Sequence, residues 1–361
     1  MPPVNRRTLI GAAAALSAAK AAGATAMTER LIATEEGFST PAAERATGAW
    51  LQANPGGEPG LRALRDSIGP AVGAGWLHDL VDFDRREEVM RASGTDTQLL
   101  LLSSPGVQIF GADEGTALAA EVNDAAAAIA ARQPRRYAPL ATIAPQDPRR
   151  AAAELERAVT RLKLHGGLIN SHTKGEYLDD RKFWPIFEAA EALDAPIYLH
   201  PREPSAQMIG PYEPYGLVGP IWGFAADTGL HALRLIMAGV FDQFPRLQIA
   251  LGHLGEGLPF FIDRIDIRYR VDGSPERLAL KQRPSDYLRR NFHLTTSGMN
   301  WEPAVRQALE VMGPERVQFA ADWPYEDAVD AAARFRGMRL DPEVRAKMAH
   351  LNAERLWRIP A

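Results

Sequence analysis

Three residues of ligand type, Glu35, His200 and Asp322, each close a short apolar run, at 31–35, 196–200 and 317–322. Imidazole and carboxylate together suit a borderline divalent ion, with positions left open for water or substrate. Taken singly, each has an ordinary structural reading: a glutamate capping the next segment, a hydrogen-bonded buried histidine, an aspartate capping a helix opened by Pro324. Their joint placement at the ends of separate runs favours a metal centre. Of the adjacent Glu35 and Glu36, strand alternation turns only one inward, and the apolar context assigns that side to Glu35. One imidazole with two carboxylates leans towards Mn²⁺, with Zn²⁺ also suited to the set.

The densest stretch reads Leu251-Gly252-His253-Leu254-Gly255-Glu256-Gly257-Leu258-Pro259. Its glycines let the chain turn closely beside a pocket. His253 has the chemistry of an acid/base or charge partner, and Glu256 is near enough to orient or polarise the imidazole. Arg264, on the helix predicted to follow, could reach a carboxylate of a substrate or of the protein. His172, within Asn170-Ser171-His172-Thr173, is a weaker candidate for substrate contact or for support of the centre. His78, His165, His231, His293 and His350 have no comparable company. With no Gly-x-Ser-x-Gly elbow and no phosphate-binding loop, serine acyl transfer and nucleotide hydrolysis have no foothold.

Bringing these residues together requires elements that end at one face. Short β-branched or apolar runs at 31–35, 98–102, 137–143, 167–171, 196–200, 247–252, 292–297 and 317–322 alternate with stretches of helical spacing. Helices are predicted over 116–132, 149–162, 182–193, 230–241, 259–270 and 302–312, with another opening at Pro324 and a last one over 342–357. Eight strands alternating with helices predict an α/β chain forming a single (β/α)8 TIM-type barrel with inserted βα loops, its functional face at the C-terminal strand ends. A doubly wound open sheet is the competitor, but the first strand is not followed by a Gly-x-Gly-x-x-Gly turn. Two segments exceed the minimal repeat, 43–79 and 202–228. Both follow strand ends carrying candidate ligands and are read as loops that shape a pocket, tolerated surface insertion being the plain alternative.

The chain has 361 residues, 46% hydrophobic and 24% charged, enough for one barrel and a sizeable core. A net charge of −4 offers no basic field for nucleic acid. The absence of cysteine excludes a disulfide framework, a thiolate metal site and a cysteine nucleophile. Asn5-Arg6-Arg7-Thr8-Leu9-Ile10, an alanine-rich run and Ala22-Gly23-Ala24-Thr25-Ala26 predict a twin-arginine export leader over 1–26, leaving a periplasmic barrel at 27–361. Lys20 keeps the alternative open, a frayed alanine helix on a cytoplasmic protein. The leader's apolar run is too short to span a bilayer, and no other span is visible.

The ordered set Ile32-Ala33-Thr34-Glu35-Glu36-Gly37-Phe38, Ser104-Pro105-Gly106-Val107-Gln108, Ala144-Pro145-Gln146-Asp147-Pro148, Ile169-Asn170-Ser171-His172-Thr173, Gly252-His253-Leu254-Gly255-Glu256 and Ala321-Asp322-Trp323-Pro324-Tyr325 resembles the decarboxylase branch of the amidohydrolase superfamily, specifically its 5-carboxyvanillate decarboxylases. The resemblance covers nearly all of the chain after the leader. It implies one divalent metal per subunit on Glu35, His200 and Asp322, catalytic importance for His253 and Arg264, and a homodimer or homotetramer. It also implies a small aromatic carboxylate as substrate, with Arg264, His172 and Tyr325 around it. Loss of CO₂ would then be non-oxidative: Asp322 supplies the ring proton, and His253, backed by Glu256, tunes the proton inventory.

Two departures are visible. Gly37 stands where many relatives carry histidine, as expected of the carboxyvanillate branch. Val72 falls near the place of a substrate-contacting arginine, with Arg62 and Arg65 out of register, which leaves the ring substituents open. The rival readings are metal-assisted hydrolysis or hydration of a lactone, amide or unsaturated acid on the same barrel, and an aromatic-acid binding protein without turnover.

Overall fold

A computed structural model describes residues 29–272 and 274–361; the predicted leader at 1–26 lies outside them. The strands are β1 (Ile32–Phe38), β2 (Thr97–Leu102), β3 (Tyr137–Pro139), β4 (Ala141–Thr142), β5 (Gly167–Asn170), β6 (Ile197–His200), β7 (Ile249–Leu251), β8 (Phe292–Thr295) and β9 (Val317–Gln318). Every neighbouring pair is parallel, in the order β1-β2-β3 and β4-β5-β6-β7-β8-β9. All residues of β1 and β2 are buried. Burial on both faces is why these runs read as continuous rather than alternating in hydrophobicity.

Two seams join the sheets into the predicted barrel. At the first, Pro139 has no N–H and interrupts the ladder, yet Leu140 N–H donates to Leu100 O at 3.0 Å and Ala141 N–H to Gly166 O at 2.8 Å, so β3 and β4 act as one strand. At the second, Thr34 N–H donates to Phe319 O (3.0 Å), Asp322 N–H to Glu35 O (3.2 Å) and Gly37 N–H to Trp323 O (2.8 Å). The chain beyond β9 thus runs along β1, although the eighth strand proper stops at Gln318 rather than at residue 322. Outside, helices bury Leu155, Phe187, Leu235 and Val305 against the strands.

Several expected elements take a different form. The Gly- and Pro-rich insertion at 43–79 is not a loop but three helices, Pro41–Ala53, Pro59–Ile68 and Pro70–Val81. Each opens on a proline, which suits the first turn because its N–H would be unpaired there anyway. Pro324 does not open a helix. It lies in a turn after a cis Trp323-Pro324 bond, and the next helix, Ala328–Gly337, starts at Asp327, whose side chain caps Val329 N–H and Asp330 N–H. The helix expected from residue 230 begins earlier, spanning Gly223–Met237. The last one is widened by a π turn at Lys347–Leu351, where Met348 O accepts from Phe319 N–H at 2.8 Å.

The closing seam also buries a carboxyl and a guanidinium. Glu36, turned away from Glu35, accepts from Ala321 N–H (2.9 Å) and Trp323 N–H (3.2 Å). Arg86, fully buried, donates to Gln98 Oε1 at 2.9 Å and to Gly37 O, and lies over the Trp323 ring at 4.4 Å. Burial pushes the Glu36 carboxyl up to about 8 despite these donors and the attraction of Arg86. Removing Arg86 leaves Gln98 Oε1 and Gly37 O buried without their donor. Arg86→Met is therefore expected to lose roughly 1–3 kcal/mol of unfolding free energy, measured by urea denaturation.

Candidate metal centre and active site

Strand alternation places Tyr198 and His200 on the same side of β6, and Thr295 and Ser297 likewise at the end of β8. All four meet Glu35 from β1. Glu35 Oε2 accepts from Thr295 Oγ1 at 2.7 Å and from the Tyr198 and Ser297 hydroxyls. Oε1 is buried with no hydrogen-bond partner, and His200 Nε2 lies 3.6 Å from it. His200 Nδ1 is 2.8 Å from Pro201 O, so it carries the proton and Nε2 presents its lone pair. Burial alone would raise the Glu35 pKa, but the charge of His253 and the hydrogen bonds from Ser297 and Tyr198 outweigh it and hold the group lowered.

On the other side, His253 Nδ1 lies 2.8 Å from Glu256 Oε1 and Nε2 lies 3.5 Å from Asp322 Oδ2. Burial opposes a charge on His253, yet Glu256 and Glu35 hold its pKa well above the ordinary value. Burial pushes Asp322 up to about 7, with His253 pulling against it. One ligand atom each of Glu35, His253 and Asp322 lies within 4.8 Å of the others. The orphaned Glu35 oxygen, the His200 Nε2 lone pair and the Asp322 carboxylate form a donor set that fits one divalent cation, with His253 packed against it as a charged partner of Asp322. His253 rather than His200 shares the tightest trio with Glu35 and Asp322.

The backbone is bent to achieve this. His253, Leu254 and Glu256 have φ of 50°, 54° and 54°, and Asp322 has φ of 74°. Left-handed conformations cost non-glycine residues about 1–2 kcal/mol each and concentrate at functional sites. Gly252 has a different reason to lack a side chain, since a Cβ there would meet both Glu35 oxygens at 2.7 Å.

Beside the cluster, a cavity of about 320 Å³ is lined mainly by apolar groups, among them Leu61, Leu64, Trp76, Leu80 and Pro105, with Tyr325. Tyr325 stands edge-on to Trp76 with ring centroids 5.3 Å apart, and its N–H donates to Asp322 O at 2.9 Å. Val72 is half exposed and outside this lining. Arg62 is engaged with the carbonyls of Gly57, Leu51 and Asn54, whereas Arg65 is on the cavity wall.

The remaining predicted residues are placed elsewhere. Both ring nitrogens of His172 are engaged with backbone, Nε2 with Glu203 O (3.0 Å) and Nδ1 with Gly175 N–H (3.1 Å). Burial pulls its pKa down to about 2, so it is a neutral brace for the loops after β5 and β6. Arg264 is exposed on the helix Leu258–Val271 and takes no part in the cluster. Reasoning from sequence missed Tyr198, whose i, i+2 spacing to His200 could have revealed it, and Thr295, two residues before Ser297. It also treated His231 as ordinary. With Asp227, one helical turn before it, His231 receives Ser171, Tyr177 and Leu178 beneath the loops after β5.

Fold and site together define a barrel built to hold one divalent ion at its C-terminal face. The chain belongs to the amidohydrolase family, whose sequence profile matches residues 49–359. It is 38% identical to the gamma-resorcylate decarboxylase of Rhizobium radiobacter over 308 residues, covering 82% of this chain and 94% of that protein. The crystal structure of 5-carboxyvanillate decarboxylase from Sphingomonas paucimobilis superposes with a TM-score of 0.86 at 41% identity, covering 92% of this chain and 100% of that one. The 5-carboxyvanillate decarboxylase of Novosphingobium aromaticivorans, solved with manganese and 4-hydroxy-3-methoxy-5-nitrobenzoic acid, gives 0.87 at 35% identity, covering 93% and 97%.

The hydroxyls on Glu35 Oε2 have a measurable role. Tyr198→Phe is expected to weaken Mn²⁺ binding about 10–100-fold with the circular dichroism spectrum unchanged, read by titration with the metal's electron spin resonance signal. An affinity equal to that of the parent would show that Tyr198 does not position the ligand.

Proposed function

We propose that this protein is a metal-dependent, non-oxidative decarboxylase of a hydroxylated or methoxylated aromatic carboxylate, 5-carboxyvanillate-like or dihydroxybenzoate-like, releasing CO₂. The observation that carries this reading is the line Glu256–His253–Asp322, which ends in a carboxyl of the donor cluster whose backbone is bonded to Tyr325 on the wall of the apolar cavity. Glu35, His200 and Asp322 would hold the ion, Mn²⁺ favoured and Zn²⁺ the alternative, which supplies positive charge to orient a substrate's phenolate and carboxylate oxygens.

Asp322 delivers its proton to the ring carbon that bears the carboxylate. The C–C bonding pair then returns to the ring and the carboxylate leaves as CO₂, so one proton is consumed for each carboxylate lost. His253, held by Glu256, faces Asp322 and is placed to restore that proton. Tyr325 joins the cavity wall to the turn carrying Asp322 and is the proposed ring contact. The largely apolar lining, with Arg65 its one arginine, favours a ring with a single carboxylate over a dicarboxylated one. His172 supports the site through the loop it braces.

The homodimer or homotetramer implied by the resemblance has a surface to use. Phe260, Arg264, Ile267 and Val271 recur at helical spacing on one exposed face, the three apolar members being 75%, 42% and 66% exposed. A second copy covering that stripe would also enclose Arg264, the proposed substrate-side cation. Residues 1–26 are proposed as a leader to the periplasm, to be checked by N-terminal sequencing of the mature protein. Among the described residues no helix is long and apolar enough to cross a membrane.

Incubating Mn²⁺-loaded protein with hydroxybenzoates, 5-carboxyvanillate, esters and lactones, and following CO₂, tests the reading. CO₂ release is expected from hydroxybenzoates, abolished by a chelator and restored by Mn²⁺; turnover of esters or lactones alone would replace decarboxylation with hydrolysis. Asp322→Asn is expected to lower kcat about 10²–10⁴-fold, and wild-type kcat in that variant would mean that the proton comes from another group.

A further inference from the structure

At the opposite end of the barrel, where the strands begin, lies a second cleft of about 590 Å³. It is bounded by Pro196 ahead of β6, Gln248 ahead of β7, His293 at the start of β8, Arg316 ahead of β9, and Arg355 on the helix Asn352–Trp357. This face of a barrel ordinarily serves stability rather than chemistry. Here its charges do not balance locally.

Three carboxylates line the cleft, and each has a basic partner. Glu191 pairs with Arg246 at 3.5 Å, Asp194 with Arg358, and Glu315 with Lys347 at 2.9 Å. Arg316 and Arg355 instead donate to neutral acceptors. Arg316 Nη1 contacts Gln248 Oε1 at 2.8 Å and His293 Nε2 at 2.7 Å, and Arg355 Nη2 contacts Glu315 O at 2.7 Å and Asn352 Oδ1 at 3.1 Å. The two guanidiniums are close enough for Arg355 to add to burial in lowering the pKa of Arg316, with Glu315 pulling the other way.

His293 supplies the second, independent observation. It is 3% exposed, and its Nε2 accepts from Arg316, so its proton sits on Nδ1. That Nδ1 is buried and has no partner. Two guanidiniums bonded only to neutral acceptors, with the Glu315 carboxylate shared between them and Lys347, and a buried imidazole N–H without a partner gather at one cleft, which leaves positive charge to be met by an anion.

We propose that this cleft is a binding site for a small oxyanion, a carboxylate or phosphate group held between Arg316 and Arg355 with His293 behind them. Guanidinium forks match both groups in geometry. Ala190, Ala195, Leu247 and Leu356 leave an apolar margin for the body of an organic acid. The site is independent of the decarboxylase reading, since no residue is shared with the metal centre.

The test uses the full-length, Mn²⁺-loaded protein and inorganic phosphate as probe, by calorimetric titration and by thermal unfolding at constant ionic strength with chloride as control. A saturable rise in Tm with one phosphate per chain is expected, and both Arg316→Gln and Arg355→Gln should weaken binding by about tenfold or more. CO₂ release in phosphate-free buffer should stay within twofold of the parent in both variants. Arg355 is exposed, so its variant decides the matter if Arg316→Gln fails to fold. Binding of citrate but not phosphate by the parent would still place a carboxylate there if both variants lose it. The proposal is overturned if neither anion binds, if chloride raises Tm equally, or if both folded variants titrate like the parent, as they would with phosphate on the metal.

Discussion

A carboxylate withdrawn from water needs donors for its oxygens, and Glu35 has them for only one. Three hydroxyls, from Tyr198, Thr295 and Ser297, converge on Oε2, while Oε1 faces His200 without a hydrogen bond. This division turns a buried acid into a directional ligand: the saturated oxygen fixes the side chain, and the free one is left for a cation. The rest of the centre depends on it. Gly252 is a glycine because the carboxylate fills the space its side chain would take, and the turn bearing His253 is folded tightly against the same group.

Closing the barrel and building the centre are one structural event. Asp322 N–H is bonded to Glu35 O, so the backbone that joins the last strand to the first also sets the separation of two proposed ligands. Glu36 reinforces the seam from the other side by receiving Ala321 and Trp323 N–H, with Arg86 over the Trp323 ring. Adjacent glutamates thus divide the labour by alternation, one facing the centre and one facing the helices. The strain at Asp322 and His253 is held at the two places where the chain must leave a strand and immediately return a side chain to the pocket.

Much of this was legible in the sequence because burial on both faces leaves uninterrupted apolar runs, and because ligands at strand ends are polar residues in apolar surroundings. The eight strands, the barrel and the cluster around Glu35 and Asp322 follow from that pattern. The insertion after β1 is helical although its proline and glycine content suggests a loop, because three of the prolines sit at helix starts, where they fit. Pro324 misled in the opposite direction. Arg86 gives no signal at all: an arginine in a charged helix reads as surface until its tertiary partners, Gln98, Gly37 O and the Trp323 ring, are known. Arg264 stands outside the cluster, exposed on the helix that follows His253.

Trp357 gives the centre a dependence on synthesis order. Its ring stacks on Tyr198 at 6.1 Å, and its indole N–H donates to Gln318. Tyr198 in turn holds Glu35, a residue of the first strand. The first proposed ligand in the chain therefore draws support from a side chain beyond the last strand. A nascent chain made through β9 but not yet through Trp357 would carry the proposed ligands without that support.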